Sequence, residues 1–151
     1  MTSQPPVAVV IPTCNRMEFL PEAIRSVVEQ DYSGPIECIV VDDSSDTPVE
    51  PQLRETFPQV RFLRKERAGS SAAREYGSRH STAPLLAYLD DDDLFLPSKI
   101  RTQVELMQRC PQVDVCIHDF LKFNAGGDFL HTNFIDHDEL WSCPHTPLGG
   151  E

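Results

Sequence analysis

The chain has 151 residues, long enough to bury roughly 68–70% of its unfolded surface, so it needs no disulfide or metal staple to fold. With 40% hydrophobic and 25% charged residues, wholesale disorder and fibrous repeats are excluded. Its 24 acidic against 13 basic residues give a net charge of −11, a surface that repels phosphate backbones and argues against a nucleic-acid partner.

Five short apolar runs predict strands: residues 7–11 (VAVVI), 36–41 (IECIVV), 60–63 (VRFL), 85–89 (LLAYL) and 113–117 (VDVCI). Near-continuous Val, Ile and Leu predicts strands covered on both faces, as in parallel sheets. Between the first two runs, Phe19, Leu20, Ala23, Ile24, Val27 and Val28 recur at three-and-four spacing, the apolar stripe of a helix with Pro21 in its first turn. Residues 49–57 predict a shorter helix and residues 70–80 a polar one. Pro97 suits a helix start, with Ile100, Val104 and Met107 on one face. The alternation of strand and helix predicts a three-layer α/β/α sandwich with a mainly parallel, Rossmann-like sheet over residues 1–120. Residues 121–151 read as an irregular tail, the start of a truncated acceptor region, and as the face through which a second copy or a partner chain would pair. Phe129, Phe134, Leu140 and Trp141 are its candidate anchors.

No apolar run approaches the 18 or so residues that span a membrane. The opening Met1-Thr2-Ser3-Gln4-Pro5-Pro6 has no basic stretch of the kind that begins a secretory signal. Five cysteines without a CxxC pair suit free thiols in a reducing compartment. The expectation is a cytoplasmic protein, peripheral at most to the inner face of a membrane.

Three apolar runs stop at polar clusters. The first ends in Pro12-Thr13-Cys14-Asn15-Arg16, the second in Asp42-Asp43-Ser44-Ser45-Asp46 and the fourth in Asp90-Asp91-Asp92-Asp93. Ligands of open parallel sheets bind at the carboxyl ends of the strands, so the three clusters are expected at one cleft. Adjacent carboxylates raise one another's pKa, and a hard divalent cation relieves that repulsion. The alternative for residues 90–93 is a solvated acidic loop. For Asp42 and Asp43 it is ordinary turn chemistry, against a carboxylate that accepts from a nucleobase imide or a ribose hydroxyl. Arg74, in a small-residue helix start, would face a base or a diphosphate, or else pair with a surface carboxylate. The Cys and His residues of the last third lack zinc-site spacing.

Together these segments resemble the nucleotide-sugar-binding half of the family 2 glycosyltransferases. The segments that carry the likeness are VVIPTCNR with its helix, IECIVVDDSSD, AGSSAAREYGSRHS and AYLDDDDLFLPSKI. Cys14 stands where an aromatic is common, and Glu75 where asparagine is common. The resemblance implies a GT-A fold, with Pro12, Thr13, Asp43 and Arg74 lining a base and ribose pocket. Asp90 and Asp91 would face the ribose and diphosphate, and Asp92, with Asp90, would hold Mn²⁺ or Mg²⁺ at a DxD motif. The implied reaction is an inverting, metal-dependent transfer from a nucleoside-diphosphate sugar to a hydroxyl acceptor, a saccharide. UDP is the commonest nucleotide among such relatives. Asp136 and Asp138 are the candidates for the catalytic base. Two other classes stay open, a non-catalytic nucleotide-sugar-binding module and a Mg²⁺-dependent nucleotidyltransferase.

Overall fold

The computed structural model describes residues 4–118, 120–124, 129–130, 142–143 and 146–147, the last three pairs by their backbone alone. Two compact units divide the chain, Met1–Arg101 and Thr102–Glu151.

The first unit holds a parallel sheet of four strands, β1 (Val7–Thr13), β2 (Ile36–Asp42), β3 (Arg61–Arg64) and β4 (Leu85–Tyr88), in the order β3-β2-β1-β4. The connecting helices are α1 (Leu20–Val28), α2 (Glu50–Leu53) and α3 (Ser70–Arg79), and α4 (Lys99–Arg109) follows β4. All seven residues of β1 are buried, as the unbroken apolar run requires of a central strand. Ala8, Val10, Ile39 and Val41 pack with Ala73 of α3 on one face. Helix α1 buries Leu20, Ala23, Ile24 and Val27 and packs on the same two strands from the other side. Gly77 lets α3 approach closely: a Cβ there would stand 2.5 Å from Val10 Cγ1 and 3.0 Å from Val41 Cγ2.

Two expectations change. The fourth run is not covered on both faces, because β4 alternates, with Leu86 and Tyr88 45% and 46% exposed. Among the described residues it is an edge strand, and its pattern is the half-buried one. The fifth run forms no strand: residues 113–118 are irregular, and Val115 and Ile117 are 76% and 69% exposed. Asp114 interrupts that run, Val113 and Cys116 are only half-buried, and Val115 and Ile117 find no cover among the described residues, so the burial that would drive a strand is missing.

In the second unit, β5 (Lys122–Phe123) pairs antiparallel with β6 (Phe129–Leu130), and β7 (Ser142–Cys143) with β8 (Thr146–Pro147). No helix among the described residues is long and apolar enough to cross a membrane.

Candidate functional site

The chain runs from β1 to β2 to β3 on one side, then returns to place β4 on the other side of β1. The carboxyl ends of β1 and β4 therefore flank the point where strand order reverses, the usual ligand crevice of such sheets. Pro12 sits where this gap opens. Val10 O accepts Leu89 N on the β4 side and Thr13 O accepts Asp43 N on the β2 side, so alternation turns Pro12 toward β4. The last β4 pairing is Val10 with Tyr88, so a proline without an N–H costs no ladder bond there.

Polar side chains bridge the gap. Thr13 Oγ1 donates to Asp91 Oδ2 at 2.7 Å, and both residues are buried. Burial pushes the Asp91 carboxyl above its ordinary pKa; the Thr13 bond and Arg16 pull it back in part, and Asp92 and Asp90 add to the rise. Arg16 donates through Nη1 to Asp92 Oδ2 and lies 3.9 Å from Asp91 Oδ1. Arg74 donates through Nη2 to Asp90 Oδ1. Thus Asp90 and Asp92 share one loop but face different guanidinium groups. Among the described residues no group of three or more His, Cys, Asp or Glu side chains is gathered as a metal site.

The β1 and β2 loops are tied together. Asn15 N donates to Ser45 Oγ at 3.0 Å, and Asp46 N to Asn15 Oδ1 at 2.8 Å. Asn15 and Ser44 hold positive φ of 57° and 66°, conformations that persist only where neighbours enforce them. Asp42 follows the turn alternative: it accepts Ser45 N at 2.7 Å and pairs with Arg64. Asp43 organises the entry to α3. Its oxygens receive Lys65 Nζ at 2.9 Å, Ala68 N at 3.0 Å and Gly69 N at 2.7 Å. Burial pushes the Asp43 carboxyl up, but Lys65 and the two amides outweigh it and hold the pKa below the ordinary value. Gly69, with φ +90°, makes the turn that an L side chain resists.

The acidic loop is fixed from its far side. Phe95 N donates to Ser26 Oγ, Gln30 Nε2 donates to Leu96 O, and Gln30 Oε1 accepts Ile100 N. Ser26 of α1 and Gln30 just beyond it thus hold residues 95–100 in place. A groove of about 500 Å³ beside β4 is lined by Ser71, Arg74, Glu75, Ser78, Arg79 and Tyr88. Glu75 pairs with Arg79 at 2.6 Å and leaves Arg74 to Asp90.

Pro12, Thr13, Asp43, Arg74, Asp90, Asp91 and Asp92 therefore all lie at the carboxyl edge of one sheet. Asp136 and Asp138 lie outside the described residues. Sequence reasoning missed Arg16, Arg64 and Lys65 as partners of the acids. The available signal was charge: seven aspartates at residues 42, 43, 46 and 90–93 on one edge demand counter-charges, and these cations follow β1 or end β3.

The chain matches the Glycosyl transferase family 2 model over residues 8–146. It belongs to that family. An uncharacterized glycosyltransferase of Rickettsia typhi is 31% identical over 117 residues, 78% of this chain and 36% of the relative. The crystal structure of S. aureus TarS 1-349 in complex with UDP superposes with a TM-score of 0.61 at 21% identity, covering 70% of this chain and 32% of that one. The mannosyltransferase PcManGT from Pyrobaculum calidifontis, in complex with GDP-Man and Mn²⁺, superposes with a TM-score of 0.55 at 30% identity, covering 70% and 32%. The fold is thus of GT-A type, and the chain spans about a third of the length of these proteins. Membership removes the nucleotidyltransferase alternative.

Proposed function

We propose that this chain forms the donor-binding part of an inverting glycosyltransferase that takes a nucleoside-diphosphate sugar, UDP-linked, and serves a saccharide hydroxyl acceptor. The observation that carries it is the acidic loop at residues 90–92 beside Thr13 and Arg74 at the strand-order reversal. Solved structural neighbours holding UDP, or GDP-Man with Mn²⁺, support the class of donor.

Pro12, Thr13, Asp43 and Arg74 would line the base and ribose pocket, and Asp90 and Asp91 the ribose and diphosphate. Asp43 Oδ1 takes Lys65 Nζ and Ala68 N, and Oδ2 takes Gly69 N and, at 3.2 Å, Ala68 N again, so a base imide or ribose hydroxyl would replace that longer second Ala68 contact. Arg74, held by Ser70 Oγ and Asp90, would exchange Asp90 for a phosphate oxygen, a contact its planar fork favours.

The donor set fits a hard cation, since Asp92 and Asp90 are exposed carboxylates on one loop and Mg²⁺ or Mn²⁺ binds through one or two carboxylates plus phosphate. When bound, the cation would offset charge on the leaving diphosphate. Residues 1–120 would carry the donor site and residues 121–151 the start of the acceptor region. Asp136 and Asp138 stay the candidates for the base that removes the acceptor proton. Calorimetric titration with UDP, GDP and dTDP, each with Mn²⁺, tests the assignment: UDP should bind tightest, and no heat from any of the three would refute it.

A further inference from the structure

We propose that Arg16 is a displaceable counter-ion of Asp92 that makes metal uptake depend on a diphosphate ligand. The latch presupposes that Asp92 holds the metal, as proposed above. Three observations support it. First, one guanidinium serves two acids, hydrogen-bonded to Asp92 Oδ2 and 3.9 Å from Asp91 Oδ1. Second, the pair is open to solvent, with the Arg16 and Asp92 side chains 49% and 43% exposed, and such pairs are weak and exchange readily. Third, the backbone beneath is fixed. Arg16 O accepts both Phe19 N and Leu20 N at the start of α1, and neighbouring Asn15 is tied to Ser45 and Asp46. Only the side chain is left to move.

The chemistry follows from competition for one oxygen. A bare divalent cation that takes Asp92 Oδ2 displaces Arg16, and it leaves beside itself a second cation whose remaining partner is Asp91, 3.9 Å away. A cation arriving with a diphosphate brings the anion that the displaced guanidinium needs, and a planar guanidinium pairs with phosphate in two parallel bonds. The same exchange suits Arg74 at Asp90, but that side chain is only 29% exposed, the less open guanidinium of the two. Arg16 therefore couples the two ligands: each raises the affinity for the other by the same factor.

The test measures Mn²⁺ binding by the electron-spin signal of the free ion, on the full chain, with and without saturating UDP. Arg16→Gln should bind Mn²⁺ alone about five-fold tighter than the parent, and UDP should then enhance its Mn²⁺ affinity about five-fold less. Arg16→Lys keeps the charge and should hold Mn²⁺ off nearly as well as arginine. A misfolded variant would bind Mn²⁺ more weakly, so tighter binding identifies the latch. Unchanged Mn²⁺ affinity in Arg16→Gln, with the parent still needing Asp92 for Mn²⁺ and UDP, would overturn the latch alone. Equal Mn²⁺ binding by the parent and Asp92→Asn, or none by any form, would overturn the metal assignment and the latch with it.

Discussion

Thr13 and Asp91 stand 78 positions apart and meet in a buried 2.7 Å hydrogen bond across the reversal of strand order. The bond joins the end of the central strand to the loop after the edge strand, where no backbone pairing holds the two together. An aspartate is a costly choice for that post, because burial disfavours its charged form.

Asp91→Asn should therefore stabilise the fold while weakening the donor site. The native carboxyl has a raised pKa, so the folded state holds a proton more readily than the unfolded chain. Its charged form thus detracts from stability above the native pKa, and the cost fades as pH falls through it. Asparagine removes the cost and still accepts from Thr13. Thermal unfolding at pH 7 should rise by roughly 1–3 °C, with a smaller gain near pH 4. A drop at pH 7 would contradict this.

Asp43→Ala should act in the opposite sense. It leaves Lys65, 13% exposed, with the Glu66 carbonyl in place of a carboxylate, and removes the acceptor of the Ala68 and Gly69 amides. Breaking such a pair costs about 3 kcal/mol, or roughly 6–12 °C in a chain of this size. The depressed pKa means this stability is complete above the unfolded value near 3.9 and is lost as pH falls through the native one. The deficit of Asp43→Ala, read from unfolding midpoints, should therefore hold from pH 7 to about 4.5 and shrink below about 4.

Gly77→Ala probes the packing of α3. A methyl 2.5 Å from Val10 Cγ1 forces the helix off β1 and should cost about 1–3 kcal/mol by urea unfolding. Because α3 carries Arg74, UDP affinity should fall as well. A neutral outcome would mean that α3 does not pack on β1 through this position.

Much of this fold was legible because apolar continuity and helical spacing are local properties. The runs of β1 and β2 and the stripe of α1 each announced an element and its buried side. LLAYL and VDVCI misled for one reason: cover on both faces depends on what lies beyond the strand, which the run itself does not encode. LLAYL became the edge strand β4 and VDVCI no strand. At the site, the short acids and Thr13 were visible because they end strands. Arg16, Arg64 and Lys65 were not, since long cationic side chains choose partners by tertiary placement. Their targets lie 76, 22 and 22 positions away.

Exposed apolar side chains follow α4, with Val115, Ile117, Phe120, Leu121 and Phe123 all at least 43% exposed. Clustered exposure of this kind marks association surfaces. The chain is expected to form dimers or larger species in light scattering after size-exclusion chromatography, and Ile117→Asp with Phe123→Asp should return it to monomer. A monomeric parent would refute this surface.

The central claim is that the acidic loop binds a nucleoside diphosphate through a divalent cation. Calorimetric titration of UDP into the chain, with Mn²⁺ and then with excess chelator, tests it most directly. Residues 90–92 repel a bare diphosphate, and Arg16 and Arg74 offset only part of that charge, so Mn²⁺ should raise UDP affinity at least about ten-fold, and Asp92→Asn should abolish the increase. Equal UDP affinity in Mn²⁺ and in chelator would contradict it.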